Sequence, residues 1–198
     1  MKLKDRWIRF IYNFTWFSQL YYIITMKISR SLPNCEVPTY YNFEDILKKI
    51  NYGKFYKPDN LAEIFRDYLI HPRVIQYRLN SRIPFGDCDD HAIYWCTILK
   101  KSKLVKKVWF SFFSMKAKWP DDTYRGHAVC VYEDFEGKYF WCDYRKPYAI
   151  DKLEDFQTKS AEGYGCEAIC GAMWEIQGIL EDDTPIFKTP IKVLPLKK

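Results

Sequence analysis

Near residue 102 the hydrophobic period of this chain changes from helical to alternating, so its two halves must build different layers. Upstream, the segments 42–50 and 60–69 carry apolar residues at helical spacing. An extended approach over 81–85 then delivers Gly86-Asp87 to a helix expected to start at Cys88. Downstream, 105–115, 126–133 and 138–144 alternate as strands, and Asp134, Phe135, Glu136 and Gly137 join the last two as a hairpin. A short helix is expected over 151–157, while 168–179 is compatible with a strand or a helix. Helices followed by antiparallel strands imply an α+β fold. With 198 residues, 48% of them hydrophobic, the chain can fill one sizeable core.

The ends are expected to extend from that core. Trp7, Phe10, Ile11, Phe14, Phe17, Tyr21, Ile24 and Ile28 lie three or four apart, which predicts one amphipathic helix over 7–28 with this face covered by protein. Lying in a membrane surface is the alternative. A spanning helix is disfavoured, because Arg9, Asn13, Thr15, Ser18 and Gln19 dilute the run, and no small-residue cleavage site follows Lys2, Lys4 and Arg6. Pro33 and Pro38 close the segment, and His71-Pro72 interrupts the helical pattern, so His71 is expected on a loop or the surface. Pro185, Pro190 and Pro195 mark an extended basic tail. The plan is therefore an aromatic-rich helix in 1–32, a domain in 33–180 and a tail in 181–198.

Seven cysteines without the dense spacing of a secreted scaffold point to a reducing, cytoplasmic setting, with Cys166 and Cys170 read as small buried hydrophobes rather than metal ligands. The net charge of +6 is spread over scattered lysines, and no zinc finger, helix-turn-helix or RNA-recognition signature accompanies it, so there is no strong nucleic-acid signal. An aromatic share of 19% suits recognition surfaces as well as a core. The Lys- and Ile-rich composition fits an AT-rich genome such as a bacteriophage's, and with it association with a virion.

Three segments carry chemistry: Gly86-Asp87-Cys88-Asp89-Asp90-His91-Ala92, Arg125-Gly126-His127-Ala128-Val129 and Phe140-Trp141-Cys142-Asp143-Tyr144. With Asp87 as N-cap, Cys88 falls in the first helical turn, where free backbone N–H groups and the helix dipole favour a thiolate. Asp89 and Asp90 oppose it by like charge, so an imidazole partner is needed. His91, one turn along the same helix, would have to fold back over the cap. His127 alternates with Val129 and Val131 on one strand face, and Tyr139, Trp141 and Asp143 share a face of the next strand. If the hairpin closes on Glu133 and Gly137, His127 stands opposite Asp143 with about 5 Å between their Cβ atoms. Closure on Asp134 and Lys138 leaves the two diagonal on the same face, and an odd register separates them. Asp143 would accept the second ring N–H of His127. The plainer alternatives are a structural thiol at Cys88, a core histidine at His127 and a surface carboxylate at Asp143.

In the order nucleophile, base, orienter, these segments resemble the transglutaminase-like cysteine protease superfamily over residues 65–147, and Gly86 to Asp90 with Ala92 is similar to its bacterial and phage branch. The resemblance implies a papain/transglutaminase-like core, with the nucleophile helix packed on an antiparallel sheet that carries His and Asp. It also implies thiol acyl chemistry on amide carbonyls. The oxyanion would be held by the Cys88 N–H and a side-chain donor from upstream, for which Gln76 and Tyr77 are the candidates; otherwise both are helix-face residues. His91 stands where the family usually carries an aromatic or aliphatic residue. No cofactor or metal is implied.

Two functions follow. One is a peptidase or transamidase using Cys88, His127 and Asp143 on a protein or peptide substrate. The alternative is a non-catalytic or weakly active binding or structural module on the same fold, such as a phage virion or host-interaction component. A protein partner on the N-terminal helix, or contact of that helix with a membrane surface, is compatible with either.

Overall fold

The computed structural model describes residues 15–50, 69–118, 124–142 and 146–194. Helix α1 (Thr15–Ser29) is the described part of the helix expected over 7–28; residues 7–14 lie outside it, as does most of the segment 60–69. The covered side of α1 is not the expected one. Tyr22, Thr25, Met26 and Ser29 are buried, whereas Ile24 and Ile28 are exposed and Tyr21 is half-buried against the core. The cause is backbone satisfaction. The Thr25 hydroxyl accepts the N–H of Leu69 at 3.1 Å and the Ser29 hydroxyl that of His71 at 2.8 Å, a service that a face of Ile and Phe cannot provide.

Helix α2 (Phe43–Lys49) starts where Asn42 accepts the Asp45 N–H. His71-Pro72, expected as a break with a surface histidine, instead opens helix α3 (Pro72–Asn80). Proline is tolerated at the first helical position because its missing N–H would have had no partner there. His71 is the N-cap, its Nδ1 accepting the Arg73 N–H at 3.2 Å, and it is fully buried. Helix α4 (Cys88–Lys101) begins at the expected residue and is buried at every position from Asp89 to Leu99.

The second half is the predicted sheet. Strands β1 (Lys107–Ala117), β2 (Tyr124–Glu133), β3 (Tyr139–Cys142), β4 (Pro147–Ile150), β5 (Cys166–Ile179) and β6 (Pro185–Phe187) run in the spatial order β4-β3-β2-β1-β5-β6. Strand β7 (Ile191–Leu194) also pairs with β5, making seven strands among the described residues, and each of their pairings is antiparallel. The ambiguous segment 168–179 is therefore a strand. The helix expected over 151–157 is a 3-10 turn, Leu153–Asp155, followed by α5 (Phe156–Gly163). The described part of the expected extended tail, 181–194, returns to the sheet as β6 and β7.

Alternation along the strands gives the sheet two apolar faces. Phe110, Ala128, Cys130 and Trp174 pack with α4 residues such as Trp95 and Leu99 on one side. Phe113, Val129, Val131 and Met173 pack with Phe156 and Ala161 of α5 on the other. The result is a mixed α+β fold whose central helix carries Cys88 at its first residue.

Candidate functional site

The amino end of α4 is built from the motif upward. Asp87 caps it, its Oδ1 accepting the Asp89 N–H at 3.4 Å, and Asp89 Oδ1 accepts the Asp90 N–H at 2.9 Å. Asp90 turns the other way, its Oδ1 taking the Ile70 N–H at 2.6 Å and its carboxylate lying against Gly86. Carboxylate oxygens of Asp87, Asp89 and Asp90 fall within 4.8 Å of one another. Such a hard-oxygen set suits a divalent cation in kind, but all three side chains already accept backbone N–H groups.

Cys88 is half-buried and packs against the core on the α4 side of the sheet, whereas Cys96, Cys130, Cys142, Cys166 and Cys170 are buried. Cys35 is also half-buried, and burial pushes its thiol up despite the Asn80 amide, which pulls it down. Burial likewise pushes His91 down, to about 3; its ring lies tilted against Phe85 with centroids 4.4 Å apart. His91 is thus neutral near pH 7 and ill-suited to hold a proton.

His127 occupies β2 directly opposite Phe113 of β1. Its ring is edge-on to Phe113 at 5.6 Å and to Tyr164, just beyond α5, at 4.9 Å. That places the imidazole on the sheet face of Val129 and Val131, the α5 side, while Cys88 packs on the α4 side. Helix α4 packs directly on β2, so the two elements adjoin even though these side chains belong to different layers.

The hairpin takes the second of the two registers considered. Cys130 pairs with Cys142, Val131 with Trp141 and Glu133 with Tyr139. The closing Asp134 N–H donates to the Lys138 carbonyl at 3.0 Å, and Gly137 holds a φ of +82°, which glycine adopts without strain. This register has the even parity that keeps one face common to both strands. Asp143, the expected orienter, lies outside the described residues, as do its neighbours 144 and 145.

The oxyanion candidates separate. Gln76 is buried and committed at both ends, its carbonyl oxygen accepting the Tyr94 hydroxyl and its amide nitrogen donating to Asn80 Oδ1 at 2.8 Å. Tyr77 is exposed on the same helix. Two features had no signal in the sequence: the Tyr164 ring against His127, and Gln157, whose buried amide covers Gly171 and has no hydrogen-bond partner among the described residues. Gly171 alone hinted that something approaches the sheet closely there.

No protein-family model matches the chain, and no curated protein matches it.

Proposed function

We propose that this chain is a thiol-dependent amide-bond hydrolase or acyltransferase on a papain/transglutaminase-like core, with Cys88 as nucleophile, His127 as its base and Asp143 orienting the histidine. The observation that carries this reading is the placement of a half-buried cysteine as the first residue of α4, behind an Asp87 cap. Backbone N–H groups without helical partners gather there, so a thiolate and then an oxyanion both meet positive potential.

For the proposed reaction the His127 imidazole, packed on the α5 face of the sheet, has to turn toward the amino end of α4. The Cys88 sulfur then bonds to an amide carbon while its proton passes to His127. The tetrahedral oxyanion accepts from the Cys88 N–H. Its collapse breaks the C–N bond, and the amine leaves with the proton from the imidazolium. Water or a second amine then attacks the thioester and regenerates the thiol. Gln76 is held by Tyr94 and Asn80, so Tyr77 remains the upstream donor candidate.

Iodoacetamide treatment of the folded protein near neutral pH, with mapping of the modified cysteine, tests the nucleophile. The reading expects Cys88 to react well ahead of Cys35 and of the buried thiols. Uniform slow labelling of all seven would sink it.

A second reading, a binding module on the same fold with His127 as a core histidine, is favoured by one observation: the His127 ring packs with Phe113 and Tyr164 on the face opposite α4.

A further inference from the structure

Helix α1 shows an apolar row on its outer side. Leu20, Ile24 and Ile28 follow one another at intervals of four, with exposures of 46%, 46% and 67%, and Leu32 just beyond the helix is 37% exposed. Residues four apart lie one above another on a helix, so this is a stripe and not a scatter of single apolar side chains. The opposite side of α1 already carries its core contacts through Tyr22 and Met26, so the stripe is left over from folding.

Charge identifies what covers it. Residues 1–35 contain Lys2, Lys4, Arg6, Arg9, Lys27 and Arg30 against a single acid, Asp5, and so hold +5 of the chain's net +6. Arg30 is paired with Asp182, which leaves Lys27 as the described cation of this segment without a carboxylate partner. Lys27, in the last turn of α1, is exposed beside the stripe. In sequence the apolar spacing runs back from Leu20 through Phe17, Phe14 and Phe10, interleaved with Arg6 and Arg9. An apolar stripe flanked by cations and aromatic residues matches the layered chemistry of a membrane surface, with acyl chains beneath anionic headgroups. No described helix is long and apolar enough to cross a bilayer.

We propose that α1 docks the protein on an anionic membrane surface, with Leu20, Ile24 and Ile28 entering the headgroup boundary and Lys27 beside them facing acidic lipid. This inference stands apart from the proposed thiol chemistry and draws on none of its residues.

Flotation of the full chain with vesicles of phosphatidylcholine, with and without phosphatidylglycerol, tests it. The wild type should float with the anionic vesicles and much less with the neutral ones. Ile24→Glu with Ile28→Glu should cut the bound fraction by at least about tenfold, since burying two carboxylates opposes insertion. Both residues are exposed, so the urea midpoint of the variant should stay at that of the wild type. Lys27→Glu, which leaves the stripe intact, should weaken binding to anionic vesicles alone and provides a second test if the first variant is unstable. Three results overturn the proposal: no flotation, flotation unchanged in both variants, or a wild-type dimer at the same concentration that the isoleucine variant dissociates. The last would make the stripe a contact between copies of this chain.

Discussion

The Asp90 carboxylate lies where a β-carbon on Gly86 would stand, and its Oδ1 accepts the buried N–H of Ile70 at 2.6 Å. The glycine and the last aspartate of the Gly86–Asp90 motif are thus one structural device, which anchors the amino end of α4 to the residues leading into α3. Gly86→Ala should destabilise the fold by about 1–3 kcal/mol, because the rigid carboxylate cannot give way without releasing Ile70. Asp90→Ala should cost a similar amount through the orphaned N–H. The two changes should be far from additive in urea unfolding, since removing Asp90 clears the space above residue 86. Additive costs would mean that the contact does not constrain the motif.

Asp183 should be the most sensitive surface-loop residue. It is buried with a φ of +66° and accepts Arg73 Nε at 2.8 Å, Lys101 Nζ at 2.7 Å and the Val37 N–H at 3.0 Å. Asp183→Ala removes the buried carboxylate shared by Arg73, Lys101 and the Val37 N–H, leaving the cations only Glu36 and the Val37 and Glu181 carbonyls, and places alanine in the left-handed region. A loss of about 3 kcal/mol or more is expected. Asp183→Asn should cost less, because asparagine tolerates that φ and keeps an accepting oxygen. Equal losses in the two variants would deny the backbone part of this account.

Acid should weaken the fold through its buried histidines. Burial holds His71 down to about 4, with Asp182 and Asp183 opposing and Arg30 and Arg73 reinforcing, and burial holds His91 down to about 3. Both folded values lie below the ordinary one, so the unfolded chain binds more protons and stability rises with pH. The contribution is complete above about pH 6.5 and is lost as pH falls toward 4, at a ceiling of about 1.4 kcal/mol per pH unit for each histidine. His71→Asn keeps a good N-cap and removes one titration, so the urea midpoint should fall less steeply with acid than in the wild type. An unchanged slope would show that His71 is protonated without cost.

Much of this architecture was legible in sequence because periodicity and capping are local. The start of α4 at Cys88, the strands on either side of the 134–137 turn and the helix within 42–50 follow from residues within a few positions of each other. The covered face of α1 was not legible, because it depends on the Leu69 and His71 N–H groups, over forty positions away, selecting Thr25 and Ser29 over Ile24 and Ile28. Nor was the layer into which His127 points. Its partner across the sheet, Phe113, and its neighbour Tyr164 come from separate elements that only the sheet order β2-β1-β5 brings together. The hairpin register was left open in sequence between two even choices and an odd one; the structure takes the even register that closes on Asp134 and Lys138, with Gly137 at a φ of +82° in the turn.

The last prediction separates the two functional readings through His127. Three carboxylates, Asp87, Asp89 and Asp90, crowd the cap beside Cys88. A helix end contributes typically under about 1 kcal/mol to an exposed anion, so these acids offset much of what α4 offers a thiolate. If the thiol is acidic, an imidazolium must make it so. The alkylation rate of Cys88 against pH should then rise in the wild type with an apparent pKa below the ordinary thiol value of about 8.5, and His127→Ala should move it to that value or above. Asp143→Ala should shift it less, because an imidazole without its orienting partner still accepts the proton part of the time. A purely structural histidine behaves otherwise. Removing its ring from between Phe113 and Tyr164 would lower the urea midpoint and leave the Cys88 profile where it was. Both quantities should be measured on the same variant, with Cys35 as an internal control whose profile is expected to stay high in every case. A shifted profile assigns the base, and a fixed profile with lost stability leaves the fold a binding module.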